Sequence, residues 1–310
     1  MPVPSWLSDL VMPTAVDAGS IAELRAELDG AARAALLHAG HVDADLLPLR
    51  VPKGRITEIE RCERSAVASA RPAAPSAPET GTDALGLLRG IALDRFVTHQ
   101  LVAGRVLEPS AALRSMCDAE GELDLVEQID GLDESTLAES LDPLASSVAD
   151  AWTGIDPSWA PRTQSRATIV LAAGDVICSG VVDVELGGPT TGLPGVVVEV
   201  KSGRPASSHQ AEAYLYALLV GLRDGVAPVN VARWYPGSPP AGTPVTLGVL
   251  EAAAARLTDA IGTWAELRAG RPAGESPGRW CRWCADAEVC PSARLDDDGD
   301  PDDGATSDEC

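Results

Sequence analysis

Between Thr168 and Lys201 the chain alternates β-branched runs with turn residues, and this texture limits what the whole can become. Thr168-Ile-Val-Leu171 and Val176-Ile-Cys-Ser-Gly-Val-Val-Asp-Val-Glu-Leu186 flank Gly174-Asp175, a tight-turn pair, and predict a β-hairpin. A Gly- and Pro-rich connection from Gly187 to Gly195 leads into Val196-Val-Val-Glu-Val-Lys201, a third strand. The spacing over 208–224 predicts a helix, Val229–Tyr235 and Pro244–Val249 two more strands, and 250–269 a closing helix. That order describes an α/β core with a mixed sheet flanked by helices.

Upstream the signals are helical. Residues 20–40 form an amphipathic pattern opened by Ser20, and another helix is predicted from about Leu85 to Val102. Residues 71–81, with Pro72, Pro75 and Pro78, have linker composition, while 105–160 is acidic and helical in parts.

The chain has 310 residues, 45% of them hydrophobic, enough for a sizeable core. No apolar run reaches the length of a membrane span. Met-Pro-Val-Pro-Ser has neither the basic start nor the apolar stretch of a secretory signal, and seven unevenly placed cysteines do not make a disulfide scaffold. A cytoplasmic enzyme or adaptor is the expectation. The formal charge of −22 argues against nucleic acid, but it is unevenly spread. The tail from Leu295 holds eight acids and no base, and Asp118–Asp150 is acid-rich. Ala160–Cys290 is near balance, with 11 bases against 12 acids, so an anionic ligand is expected there. Of 24 basic residues only Lys53 and Lys201 are lysine. A compact ammonium does what arginine's planar fork cannot in a tight site, which singles out Lys201; Lys53 is expected on an ordinary surface.

Asp183 falls late on one predicted strand, and Glu199 and Lys201 share a face of the next. If the strands pair, two carboxylates come close and repel unless a cation lies between them. Hard oxygen ligands suit Mg²⁺ or Mn²⁺, and a neighbouring ammonium can orient an attacking water or neutralise charge building on phosphorus. An exposed Glu-x-Lys strand face is the plain alternative. Gln210 and Tyr214, at i and i+4 on the following helix, are placed to reach back to a phosphate or to Lys201; Tyr214 as core is the alternative there. Cys281, Cys284 and Cys290 give three soft ligands in ten residues. A Cys₄ site needs a fourth, from Cys62, Cys117, Cys178 or Cys310, with zinc the alternative metal.

These motifs, in this order, resemble the PD-(D/E)xK nucleases of the RecB type, and the cysteines resemble their iron–sulfur branch, which includes CRISPR-associated exonucleases and AddB-type helicase-nucleases. The resemblance covers roughly residues 55–292. It implies a restriction-endonuclease-like core, with Asp183 and Glu199 as metal-binding acids, Lys201 as catalytic lysine and Gln210 with Tyr214 as the Gln-x-x-x-Tyr motif. It also implies that Cys62, Cys281, Cys284 and Cys290 hold a 4Fe–4S cluster. The family's early metal-binding His, in Gly-x-x-x-His, is replaced here by Asp94 in Gly90-Ile-Ala-Leu-Asp94. Asp94 is then either an Mg²⁺ ligand or a helix-surface acid.

The expected organisation is a helical N-terminal segment over 1–54 and a nuclease domain over 55–292. That domain carries an acidic insert at about 105–160, and a disordered acidic tail follows over 293–310. The expected activity is metal-dependent cleavage of DNA at ends or single strands, in repair or defence. With no Gly-x-x-x-x-Gly-Lys motif, unwinding would come from a helicase or other partner subunit. The alternative is a catalytically silent nucleic-acid-binding or scaffold subunit.

Overall fold

A computed structural model describes residues 4–11, 16–40, 46–71 and 82–293. The linker composition at 71–81 and the acidic tail fall outside these, apart from Arg71 and Ala293.

The described residues form one six-stranded mixed sheet: β1 (Leu49–Pro52), β2 (Arg162–Leu171), β3 (Val176–Gly188), β4 (Leu193–Val200), β5 (Asn230–Trp234) and β6 (Ala241–Pro244). The thirteen-residue β3 is its hub. Along one edge β2 runs antiparallel to it, from Leu171↔Val176 to Arg162↔Glu185. The other edge is shared: β1 pairs parallel with Val176–Ser179, and β4 pairs antiparallel with Val184–Gly188. Between them, among the described residues, no strand pairs with Gly180–Asp183 on that side. Because β1 is parallel and β4 antiparallel to β3, both end by running toward this gap. β5 extends β4 in parallel and β6 closes the sheet antiparallel.

Helices cover both faces. Helices α2 (Ala18–Ala39), α9 (Ser207–Asp224) and α10 (Leu247–Arg268) share a core with Val51, Ile169, Cys178, Val197 and Val231. The opposite core joins α1 (Ser5–Leu10), α5 (Thr82–Val102), α6 (Pro109–Ala119), α7 (Leu123–Asp130) and α8 (Glu134–Trp152) to Val184, Leu186, Val196, Val198 and Trp234. The valines of β4 alternate between the two cores, which is why that strand is an unbroken apolar run rather than an alternating one. Two short helices, α3 (Lys53–Arg61) and α4 (Glu63–Ser69), follow β1.

The acidic segment supplies most of the second helical layer. Its apolar positions, Leu113, Cys117, Leu137, Leu141, Leu144 and Val148, are buried with Leu88 and Phe96 of α5. Trp6, Trp152 and Trp234 stack edge-to-face, 5.5 Å between successive ring centroids, and tie α1 and α8 to β5.

Three local expectations need correction. Helix α2 is capped by Asp17, not opened by Ser20: the Asp17 carboxylate accepts the Ser20 N–H at 2.9 Å, and its charge suits a helix N-terminus. The strand expected over Pro244–Val249 ends at Pro244, which has no N–H for the ladder, and Thr246 caps α10 by accepting from Val249 N. Residues 1–54 are not wholly helical. Leu49–Pro52 enter the sheet as β1, and α2 packs on α10.

Candidate active site and cysteine pocket

The gap between β1 and β4 gathers a cluster of charge that includes the buried Glu199 and Glu212. Lys53 is the first residue after β1, and Glu199 and Lys201 stand at the end of β4, so the two strand ends deliver both lysines of the chain to one place. Lys201 Nζ lies 2.6 Å from Glu199 Oε1 and 2.8 Å from Glu212 Oε2. Lys53 Nζ lies 3.1 Å and 2.9 Å from the same two atoms. Two carboxylates and two ammoniums thus form a closed ring. The expectation that Lys53 sits on an ordinary surface is corrected: it joins the ring, and its Nζ lies over the Tyr216 ring, 4.9 Å from the centroid.

Asp183 lies on β3 at the gap, where its Oδ2 accepts the Val200 N–H at 2.7 Å. Asp94 reaches the site from α5 and Glu212 from α9, so groups from both helical layers meet through the opening in the sheet. Burial, then the charges of Glu199 and Asp94, pushes the Asp183 carboxyl well above its ordinary range. Burial, then the Glu199 charge, pushes Asp94 up to about 6 against the pull of Lys201 and Arg95. Glu212 is held down to about 2, because its bonds to Lys201 and Lys53 outweigh its burial. Burial alone would lower both lysines, but the carboxylates outweigh it and raise them. Asp94 is thus within electrostatic reach of Glu199 and Lys201.

Glu199 is 2% exposed, and its Oε2 has no hydrogen-bond partner. A buried, unpartnered carboxylate oxygen is costly, and a cation is the natural relief. The ring balances its own charges, which leaves Asp94 and Asp183 as two uncompensated acids. By ligand chemistry, carboxylates of this kind suit a hard divalent cation. Among the described residues, no three His, Cys, Asp or Glu side chains already stand at single-ion spacing.

Gln210 and Tyr214 are not brought to the ring. Gln210 Nε2 donates to Thr243 Oγ1 at 3.2 Å, and Tyr214 is half-buried against the core. The site-facing stripe of α9 instead carries Glu212 and Tyr216, two residues further on and about 200° around the helix. At the start of the same helix, His209 Nδ1 lies 2.9 Å from the Tyr235 hydroxyl.

The four cysteines implicated by the resemblance line one pocket. Cys62, extended between α3 and α4, faces Cys281, Cys284 and Cys290 from the C-terminal turns, all as free thiols. The Ser276 N–H points at Cys62 Sγ at 3.5 Å and the Gly278 N–H at Cys281 Sγ at 3.4 Å. Polar ties surround the pocket: Arg64 to Glu275 at 2.5 Å, Arg71 to Asp286 at 2.7 Å, and Glu63 to both Arg271 and the Gly274 N–H. Cys117 and Cys178 are buried in the two helix-covered cores instead, and Cys310 lies outside the described residues.

No family model matches the chain, and no curated protein matches it. Among solved structures, the crystal structure of SSO0001 is similar at 15% identity, over 66% of this chain and 96% of that one, with a TM-score of 0.29. A likeness at that TM-score carries no functional argument.

Proposed function

We propose that this chain is a divalent-metal-dependent phosphodiester hydrolase acting on DNA ends or single strands, with a 4Fe–4S cluster as a structural staple. The carrying observation is the partnerless buried Oε2 of Glu199, in a centre that also holds Asp183, Asp94 and the Lys201 ammonium. Asp94, Asp183 and Glu199 are the residues that would hold Mg²⁺ or Mn²⁺, which when bound supplies a Lewis acid for the scissile phosphate. Lys201, fixed by Glu199 and Glu212, stands ready to orient the attacking water or to offset negative charge in the transition state. The order of these residues and the cysteine set is that of the RecB-type nucleases the sequence resembles. Four thiolates are the usual ligand set of a 4Fe–4S cluster, and the amide N–H groups aimed at Cys62 and Cys281 suit ligating sulfurs.

One observation favours a silent nucleic-acid-binding subunit instead: both lysines are already engaged by carboxylates. The two readings separate in one assay. Pure protein, given Mg²⁺ or Mn²⁺ and end-labelled single-stranded DNA, should degrade it, and Glu199→Gln should not. Intact DNA with the wild-type chain in both metals overturns the hydrolase.

A further inference from the structure

Resting on that hydrolase reading, we infer that Lys53 is a positioning residue that limits the centre to a single divalent cation. The inference stands on the ring geometry. Each ammonium bridges the same two oxygens, Glu199 Oε1 and Glu212 Oε2, at 2.6 to 3.1 Å, so neither lysine is redundant with a surface ion pair. With both present, the ring is neutral and only Asp94 and Asp183 remain in excess. One divalent cation then balances the whole cluster, and a second would bring uncompensated positive charge into a largely buried site. Without Lys53, three negative charges would be in excess, enough to draw the first cation harder and to admit another. The ammonium also engages Oε1 and leaves Oε2 as the unpartnered atom, so it fixes which oxygen of Glu199 is available.

The sequence bears on the same point. In a chain with 22 arginines, both lysines stand in this ring. A guanidinium carries the same charge but spreads it over a plane, and would not seat between two carboxylates over Tyr216 as a compact ammonium does. Lys53 follows β1 directly, so its place is set by the strand that borders the gap, not by a mobile loop.

The test is calorimetric titration of the full-length, metal-stripped chain with MnCl₂, counting only binding that disappears in Asp183→Asn, which removes the contribution of acidic segments elsewhere. The wild-type chain should take one Mn²⁺. Lys53→Met, which keeps an aliphatic stem, should bind its first Mn²⁺ about tenfold more tightly or take a second. Glu212→Gln, which removes an acid and keeps both ammoniums, should shift affinity the other way by a similar factor. A purely structural role for Lys53 gives no such opposite shifts. Two Asp183-dependent Mn²⁺ in the wild-type chain would overturn the inference, as would a folded Lys53→Met with an unchanged isotherm. If Lys53→Met has no melting transition, an unchanged Glu212→Gln isotherm would overturn it instead. A wild-type chain with no Asp183-dependent binding would remove the hydrolase reading itself, a result distinct from either of those.

Discussion

Lys201 Nζ sits within 2.8 Å of two carboxylate oxygens, a space shaped for a point charge. Lys201→Arg keeps the charge and loses the shape, so cleavage should fall by about a hundredfold or more while Mn²⁺ binding persists. Wild-type cleavage rates in that variant would remove Lys201 from the chemistry. Asp94 makes a separate prediction through pH. Its carboxyl is raised from 3.8 to about 6, so the folded chain holds that proton more tightly than the unfolded one. The associated stability is fully present below the unfolded value and is lost as pH rises through about 6. In chelator, the wild-type chain should therefore lose up to ~3 kcal/mol at this group between about pH 4 and 7, and Asp94→Asn should not. Melting curves of the two proteins that run parallel across that window would refute it. Asp183, Glu199 and Lys201 were legible because strand alternation and an eighteen-residue span link them. Lys53 was not, since its partner Glu199 lies 146 residues away and no local pattern marks the pairing.

Among the elements, the sheet between β2 and β5 follows the sequence closely, because β-branched runs and turn residues announce it. β1 went unread: four residues, Leu49–Pro52, alternate buried and exposed beside a proline and are too short to signal alone. The site-facing stripe of α9 is not legible in the sequence for a related reason. A helix offers several i, i+4 pairs, and only the packed sheet decides that Glu212 and Tyr216, not Gln210 and Tyr214, look toward β3. The contact that decides it is Gly180, at the gap in β3. A Cβ there would lie 2.7 Å from Tyr216 Cε1, closer than such atoms pack, and a tight 3.3 Å from Leu219 Cδ1. Gly180→Ala should push α9 off the sheet and cost about 1–3 kcal/mol in chemical denaturation. Because the Lys53 ammonium lies over Tyr216, the same variant should also loosen its hold on the ring and shift Mn²⁺ affinity in the direction of Lys53→Met. An unchanged unfolding midpoint would show that the helix rides over the added methyl without strain.

At the scale of the whole molecule, the question is what holds the α3–α4 region against the last turns of the chain. The polar ties already bring these parts together: Arg64 N–H donates to Gly274 O, and Glu63, Arg64 and Arg71 each bind a residue beyond 270. These are partly exposed pairs, screened by solvent and individually weak. A cluster bridging Cys62 to Cys281, Cys284 and Cys290 would close a loop of more than two hundred residues, as the 212-residue separation of Cys62 and Gly274 indicates. By analogy with long disulfide loops, such a closure is worth on the order of 5 kcal/mol through the unfolded state. The cluster should therefore govern stability more than chemistry. Purified without air, the protein should be brown and carry about four irons per chain. Cys62→Ala should lose the colour and melt at a markedly lower temperature, yet the polar ties should keep the β1–β4 gap assembled, so that Mn²⁺ still binds. Cys178→Ala, in the sheet's core and not among the residues lining the pocket, should keep its iron. Iron retained in Cys62→Ala would assign the fourth ligand elsewhere. One zinc per chain in a colourless anaerobic preparation would replace the cluster with a mononuclear site, leaving the charged centre between β1 and β4 to be judged on its own titrations.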